Sequence, residues 1–222
     1  MIEKIYTIPV NEAFDLYAGC PVCALYKKLE DNELDIMLNS GALMEPPIRI
    51  ETNKKGFCGR HFDMMFGMKN RLGLALMIES LLSQNINRTI TGGLFDFSGK
   101  SKKLDRQAQS CYVCGRIENS LGKMIETTAL LWGREKEFKE KLLNQPYFCV
   151  RHYADLLQAG EHMLPKKSYS DFAHDCRKVM IRYGEKLLED VSWFVKKFDY
   201  NYQDEPWGDS KDAVERAIKF LR

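Results

Sequence analysis

Eight residues of this 222-residue chain carry metal-binding chemistry: Cys20 and Cys23, Cys58 and His61, Cys111 and Cys114, and Cys149 and His152. Thiolate sulfur and imidazole nitrogen are the donors that tetrahedral zinc takes, at about 2.3 and 2.0 Å. Two donors three positions apart in one turn can face one ion, so each CxxC and each CxxH is half a site. Cys58 follows Cys23 by 35 positions, Cys149 follows Cys114 by the same 35, and every motif position recurs after 91. Val22 and Val113, Phe57 and Phe148, and Arg60 and Arg151 recur with them. This is an internal duplication. Its half-sites supply Cys3His twice, and the expected cofactor is zinc, two ions per chain.

Pairing within each repeat is the simplest assembly: Cys20, Cys23, Cys58 and His61 around one ion, and Cys111, Cys114, Cys149 and His152 around the other. Exchange between repeats, joining Cys20 and Cys23 to Cys149 and His152, satisfies the spacing equally well. Three thiolates and a neutral histidine leave a divalent centre at about −1, which helix N-termini and Arg60 or Arg151 would stabilise. Iron–sulfur ligation is the alternative use of such a set. Redox dithiols are a further one, but the strand of a thioredoxin-like βαβ unit is missing and the CxxH motifs would go unexplained.

The elements that must position these residues read as helices. Val22, Leu25, Leu29 and Ile36 carry a helical period from the first CxxC to about Leu38. Glu45-Pro46-Pro47 predicts extended backbone, with Ile48 to Thr52 as a short strand or extended return. Cys58 opens one helix running to about Asn87. Pro9 precedes a short helix over 11–17. Thr91 to Gln109, with Gly92-Gly93 and the basic run Lys100 to Arg106, reads as a linker. Ser110 is placed to cap the next helix, followed by a return helix to Leu143, a break at Gln145-Pro146, and a helix from Cys149 to about His162. Ser170 is placed to cap a long amphipathic helix with Phe172, Cys176, Met180, Tyr183, Leu187, Val191, Phe194 and Phe198 on one stripe. The expected fold is mainly α: a first module over 1–91, a linker over 92–110, a second module over 111–165, and a C-terminal helix and tail over 166–222.

Net charge is +2, so there is no overall pull toward nucleic acid or an anionic membrane. The basic linker reads as a solvated loop rather than a phosphate-binding surface. No apolar run is long enough to span a bilayer and no secretory signal opens the chain, so a cytoplasmic location is expected. Phosphate-binding glycine loops and a serine nucleophile elbow are absent. Cys176 falls on the apolar stripe and reads as core. His162 and His174 read as surface residues, and Met64, Met65, Met68 and Met77 as helix packing.

Cys20-Pro21-Val22-Cys23, the stretch from Met44 to Cys58, and the tail from Phe198-Asp199-Tyr200 through Asp204-Glu205-Pro206-Trp207-Gly208 resemble an uncharacterised bacterial family. Its members are cysteine-rich proteins of unknown function, seen mainly in anaerobes, with paired CPxC and FCxxH motifs. The resemblance covers nearly the whole chain and implies the repeat without implying an activity; some members are labelled as transporter-associated binding proteins. The expected function is that of a non-catalytic zinc protein acting through a protein partner or small ligand. A redox or sensor protein and a nucleic-acid-binding zinc module are the alternatives.

Overall fold

The computed structural model describes residues 4–41, 45–90, 102, 105–106 and 108–222. Among them the chain forms ten α-helices and no strand. They are α1 (Lys4–Asp15), α2 (Pro21–Asn39), α3 (Pro46–Lys55), α4 (Gly59–Gly67), α5 (Arg71–Ile90), α6 (Tyr112–Arg134), α7 (Lys136–Leu143), α8 (Val150–Met163), α9 (Lys166–Lys196) and α10 (Ala213–Leu221). The expected linker lies largely outside the described residues; Lys102 and Arg106 are exposed. No described helix is long and apolar enough to cross a membrane.

The chain divides into two compact units: one formed by residues 1–26 and 121–222, the other by 27–120. In the first, α9 packs against α7, α8 and α10. Its stripe buries Phe172, Cys176, Val179 and Leu187, while Phe198 at the far end is exposed. The helix starts at Lys166 behind Pro165, so Ser170 lies inside it and caps nothing; proline before the first turn is a sufficient start signal. Phe14 meets Phe138 and Phe148 at ring-centroid distances of 5.0 and 6.4 Å, tying α1 to α7 and to the segment before α8. The helix α1 begins well ahead of the expected start and contains Pro9. Packing of Val10, Ala13 and Phe14 on the following turn offsets the backbone hydrogen bond that proline removes.

Phe172 also stands edge-on to Trp132 at 5.2 Å. A Cβ on Gly160 would lie 2.5 Å from its ring, so α8 approaches α9 as only glycine allows. Because that ring is fully buried and cannot swing away, Gly160→Ala should destabilise the protein by about 1–3 kcal/mol despite alanine's better helix propensity. Thermal melting of the variant checks this, and an unchanged midpoint would show that the ring can move.

The tail folds back on α9 around Lys197. This buried ammonium donates to the carbonyl oxygens of Tyr202 (2.5 Å), Gln203 (2.7 Å) and Glu205 (2.6 Å), matching three donors to three acceptors. Trp193 Nε1 donates to the Pro206 carbonyl at 3.1 Å, and Trp207 packs on Phe194 at 5.6 Å. The tail stretch that sequence singled out is therefore the cage of one lysine. Asp190, buried on the same helix, pairs with Lys186 and Arg216 at 3.0 Å each and docks α10. Burial opposes its ionisation, but these cations outweigh it and hold the carboxyl below its usual range.

In the second unit, residues 48–52 are helical rather than extended. Pro46 and Pro47 occupy the first turn of α3, where a missing N–H costs nothing, so they start a helix instead of excluding one. The expected single helix from Cys58 to Asn87 is two, α4 and α5. Met68 is extended at the break, and Asn70 Oδ1 accepts from Gly73 N at 2.9 Å, which caps α5. Arg49 donates to the Leu76 carbonyl at 3.0 Å and Asn53 to Ser80 Oγ at 2.6 Å, fixing α3 on α5.

Candidate metal centres

All four motifs sit at helix starts with one local geometry. Cys20, Cys58, Cys111 and Cys149 immediately precede α2, α4, α6 and α8, and Cys23, His61, Cys114 and His152 are the third residues of those helices. Cys58 and Cys149 are N-caps with extended backbone, and neither uses its side chain as a cap. Their sulfur atoms are thus left for another partner beside a helix N-terminus.

The half-sites combine across the repeats. Cys20, Cys23, Cys149 and His152 form one group, centre I, within the first unit; Cys58, His61, Cys111 and Cys114 form centre II, within the second. In each group all four donor atoms lie within 4.8 Å of one another. In centre I, His152 Nδ1 is 3.1 Å from Cys149 Sγ, 3.3 Å from Cys23 and 3.6 Å from Cys20, and the sulfurs of Cys23 and Cys149 are 3.7 Å apart. In centre II, His61 Nδ1 is 3.2 Å from Cys58 Sγ, 3.3 Å from Cys111 and 3.5 Å from Cys114, and Cys58 and Cys114 are separated by 3.9 Å. A tetrahedral ion with bonds of about 2.3 Å to sulfur and 2.0 Å to nitrogen would place S and S about 3.8 Å and S and N about 3.5 Å apart. Both groups fit a single metal ion.

Local contacts bring the half-sites together. Tyr112 N donates to the Gly56 carbonyl at 2.9 Å, and Ser110 Oγ donates to the Lys55 carbonyl at 2.5 Å. Ser110 therefore fastens the segment before Cys58 to the start of α6, and Cys111 takes the cap position expected for the serine. In centre I, Gly19 adopts φ of +129° where the chain passes the Tyr147 hydroxyl, two residues before Cys149.

The thiols resist ionising together. Burial, then Cys111 and Cys58, push the Cys114 thiol up to about 12. Hydrogen bonding with Cys149 and Cys20 raises Cys23, while bonds from Cys20 and Cys23 lower Cys149. A cation at the centre is what would let all three sulfurs become thiolates. The histidines shift oppositely. Burial lowers His61 in spite of Glu30; for His152 burial also lowers, but Cys149 and Cys20 outweigh it and raise it to about 9.

Centre II has a support that sequence reading missed. Glu30 is 0% exposed. Its carboxylate accepts from His61 Nε2 at 3.2 Å and from Arg60 at 2.9 Å, an arrangement that directs Nδ1 to the sulfurs. Glu33, one turn on, takes a forked contact from Arg116 at 3.2 Å. The buried face of α2 thus includes Val22, Leu25, Glu30, Glu33, Leu34, Met37 and Leu38, and Ile36, expected on it, is exposed. Two carboxylates three positions apart among core residues were the signal available. Arg60 supports centre II through Glu30, as a role beside the metal implies; its counterpart Arg151 is exposed and makes no ion pair among the described residues. Cys176 is buried core, and His162 and His174 are exposed, as expected.

No curated protein and no solved structure matches this chain. The chain belongs to DUF6062, a family of unknown function whose family model matches residues 1–222.

Proposed function

We propose that this is a non-catalytic zinc protein of the cytoplasm, with one ion in each centre, acting by binding a protein partner or small ligand. The observation that carries the reading is the convergence of three sulfurs and one Nδ1 on a single point in each centre, at the separations a tetrahedral ion requires. The eight ligands would be Cys20, Cys23, Cys149 and His152 for one ion, and Cys58, His61, Cys111 and Cys114 for the other. Four protein donors close the coordination sphere and leave no position for substrate, which supports a structural role over hydrolysis. An iron–sulfur cluster spreads its ligands over more than one iron, and donors converging on one point suit a mononuclear ion better. Cysteines grouped for a metal rather than for disulfides suit a reducing compartment.

On this reading residues 1–91 and 111–165 are two modules that each carry one copy of the duplicated CxxC and CxxH motifs, joined through 92–110 and followed by a C-terminal helix and tail over 166–222. The binding half of the proposal is supported by an apolar cleft of about 450 Å³ lined by Phe57, Phe62, Ile78, Leu81 and Leu82 in the unit that holds centre II. Elemental analysis and an absorbance spectrum of protein purified without oxygen or added metal test the metal. About two zinc ions per chain and a colourless sample are expected; iron with acid-labile sulfide would replace this reading with electron transfer or redox sensing.

A further inference from the structure

We propose that the two centres are unequal: centre II is a fixed site held by Glu30, and centre I is the exchangeable site, entered at Cys23. The inference rests on the zinc reading above and deepens it. A metal-bound histidine is normally oriented by an acceptor on its second nitrogen, and losing that acceptor typically weakens binding about 10- to 100-fold. Centre II has one. His61 is completely buried and its Nε2 faces the Glu30 carboxylate, itself buried and held by Arg60. Centre I has none from the protein among the described residues, since the hydrogen-bonding contacts of the His152 ring there all run through Nδ1 to sulfur.

The duplication makes the difference concrete. Ninety-one positions after Glu30 stands Leu121, and 91 after Glu33 stands Met124, both buried. The second repeat has apolar side chains where the first has the carboxylates that support centre II.

Access differs as well. Cys23 is the one exposed cysteine of the eight-residue ligand set; Cys58 and Cys114 are half-buried, and Cys20, Cys111 and Cys149 are buried. Exchange of a tetrahedral thiolate-bound ion begins when a competing ligand reaches the ion or an electrophile reaches one of its sulfurs, and the exposed Cys23 makes centre I the open one. Alkylation there forms a carbon–sulfur bond with loss of the reagent's leaving group and turns a thiolate ligand into a thioether, a much poorer donor for zinc.

The test is zinc release from the zinc-loaded full chain into an excess of colorimetric chelator. Two phases of equal amplitude, at least about tenfold apart in rate, are expected. Cys20→Ser/Cys149→Ser should keep only the slow phase. Glu30→Gln should speed the slow phase about 10- to 100-fold, leaving the fast phase and the far-UV circular dichroism unchanged. Limited iodoacetamide treatment followed by peptide mapping should modify Cys23 first and release one ion per modified chain. One release rate from protein holding two zinc ions, an unaltered slow phase in Glu30→Gln, or first modification at Cys58 or Cys114 would overturn the inequality and leave the zinc reading standing. Loading well short of two zinc ions would instead remove the reading on which it rests.

Discussion

Zinc analysis of two double variants should give opposite answers. Cys20→Ser/Cys149→Ser should retain about one zinc per chain, and Cys20→Ser/Cys58→Ser close to none, because serine is a poor substitute for a thiolate ligand. The first pair removes two donors from one centre and leaves Cys58, His61, Cys111 and Cys114 intact. The second takes one sulfur from each group. Pairing within repeats predicts the reverse, with Cys20 and Cys58 in one site and Cys149 in the other. Swapped outcomes would therefore refute the grouping of the half-sites, whatever the absolute metal content.

Removing the metal should unfold much of the protein. Structural zinc contributes about 10–16 kcal/mol of apparent binding energy at neutral pH, as much as the whole net stability of a typical domain. Each centre also joins two helix starts distant in sequence, Cys23 to Cys149 and His61 to Cys111. A strong chelator should accordingly lower the melting midpoint sharply and reduce helicity.

Acid should act in the same direction. In the metal-free protein the Cys114 thiol is pushed up to about 12, so it is protonated near neutrality, whereas the metal-bound form carries a thiolate. The free form binds more protons, binding releases them, and affinity falls as pH falls. Melting curves with and without chelator between about pH 5 and 8 check both parts, since metal binding releases thiol protons across that range. A metal-free sample that melts like the loaded one would show that packing alone holds the helices.

The ligand positions were legible in the sequence because their spacing is local: a turn of helix presents residues three apart together, whatever surrounds it. The partner of each half-site was not. Duplicate motifs are chemically interchangeable, so the sequence separations suit either pairing and only packing of the whole chain distinguishes them. Glu30 was hidden for a related reason: its burial depends on Arg60 and His61, 30 and 31 positions away. Pro46-Pro47 shows a more local ambiguity, since prolines that end one helix are equally fit to begin another. Asn70 could have been read from sequence as a cap, but Met65, Leu72 and Leu76, spaced by seven and four, carry a helical period straight across it.

The crossed pairing also sets an order of events on the ribosome. Centre II can close once Cys114 has emerged, but centre I must wait for His152, 38 residues later, or about 2–8 s at common synthesis rates. Before Cys111 and Cys114 emerge, Cys20 and Cys23 have a mate in Cys58 and His61, which follow them closely in the chain and belong elsewhere. An ion captured by Cys20, Cys23, Cys58 and His61 would be held in the wrong place and would have to be surrendered before the native sets could form. Correct assembly is therefore favoured by late delivery of the metal, to a finished chain.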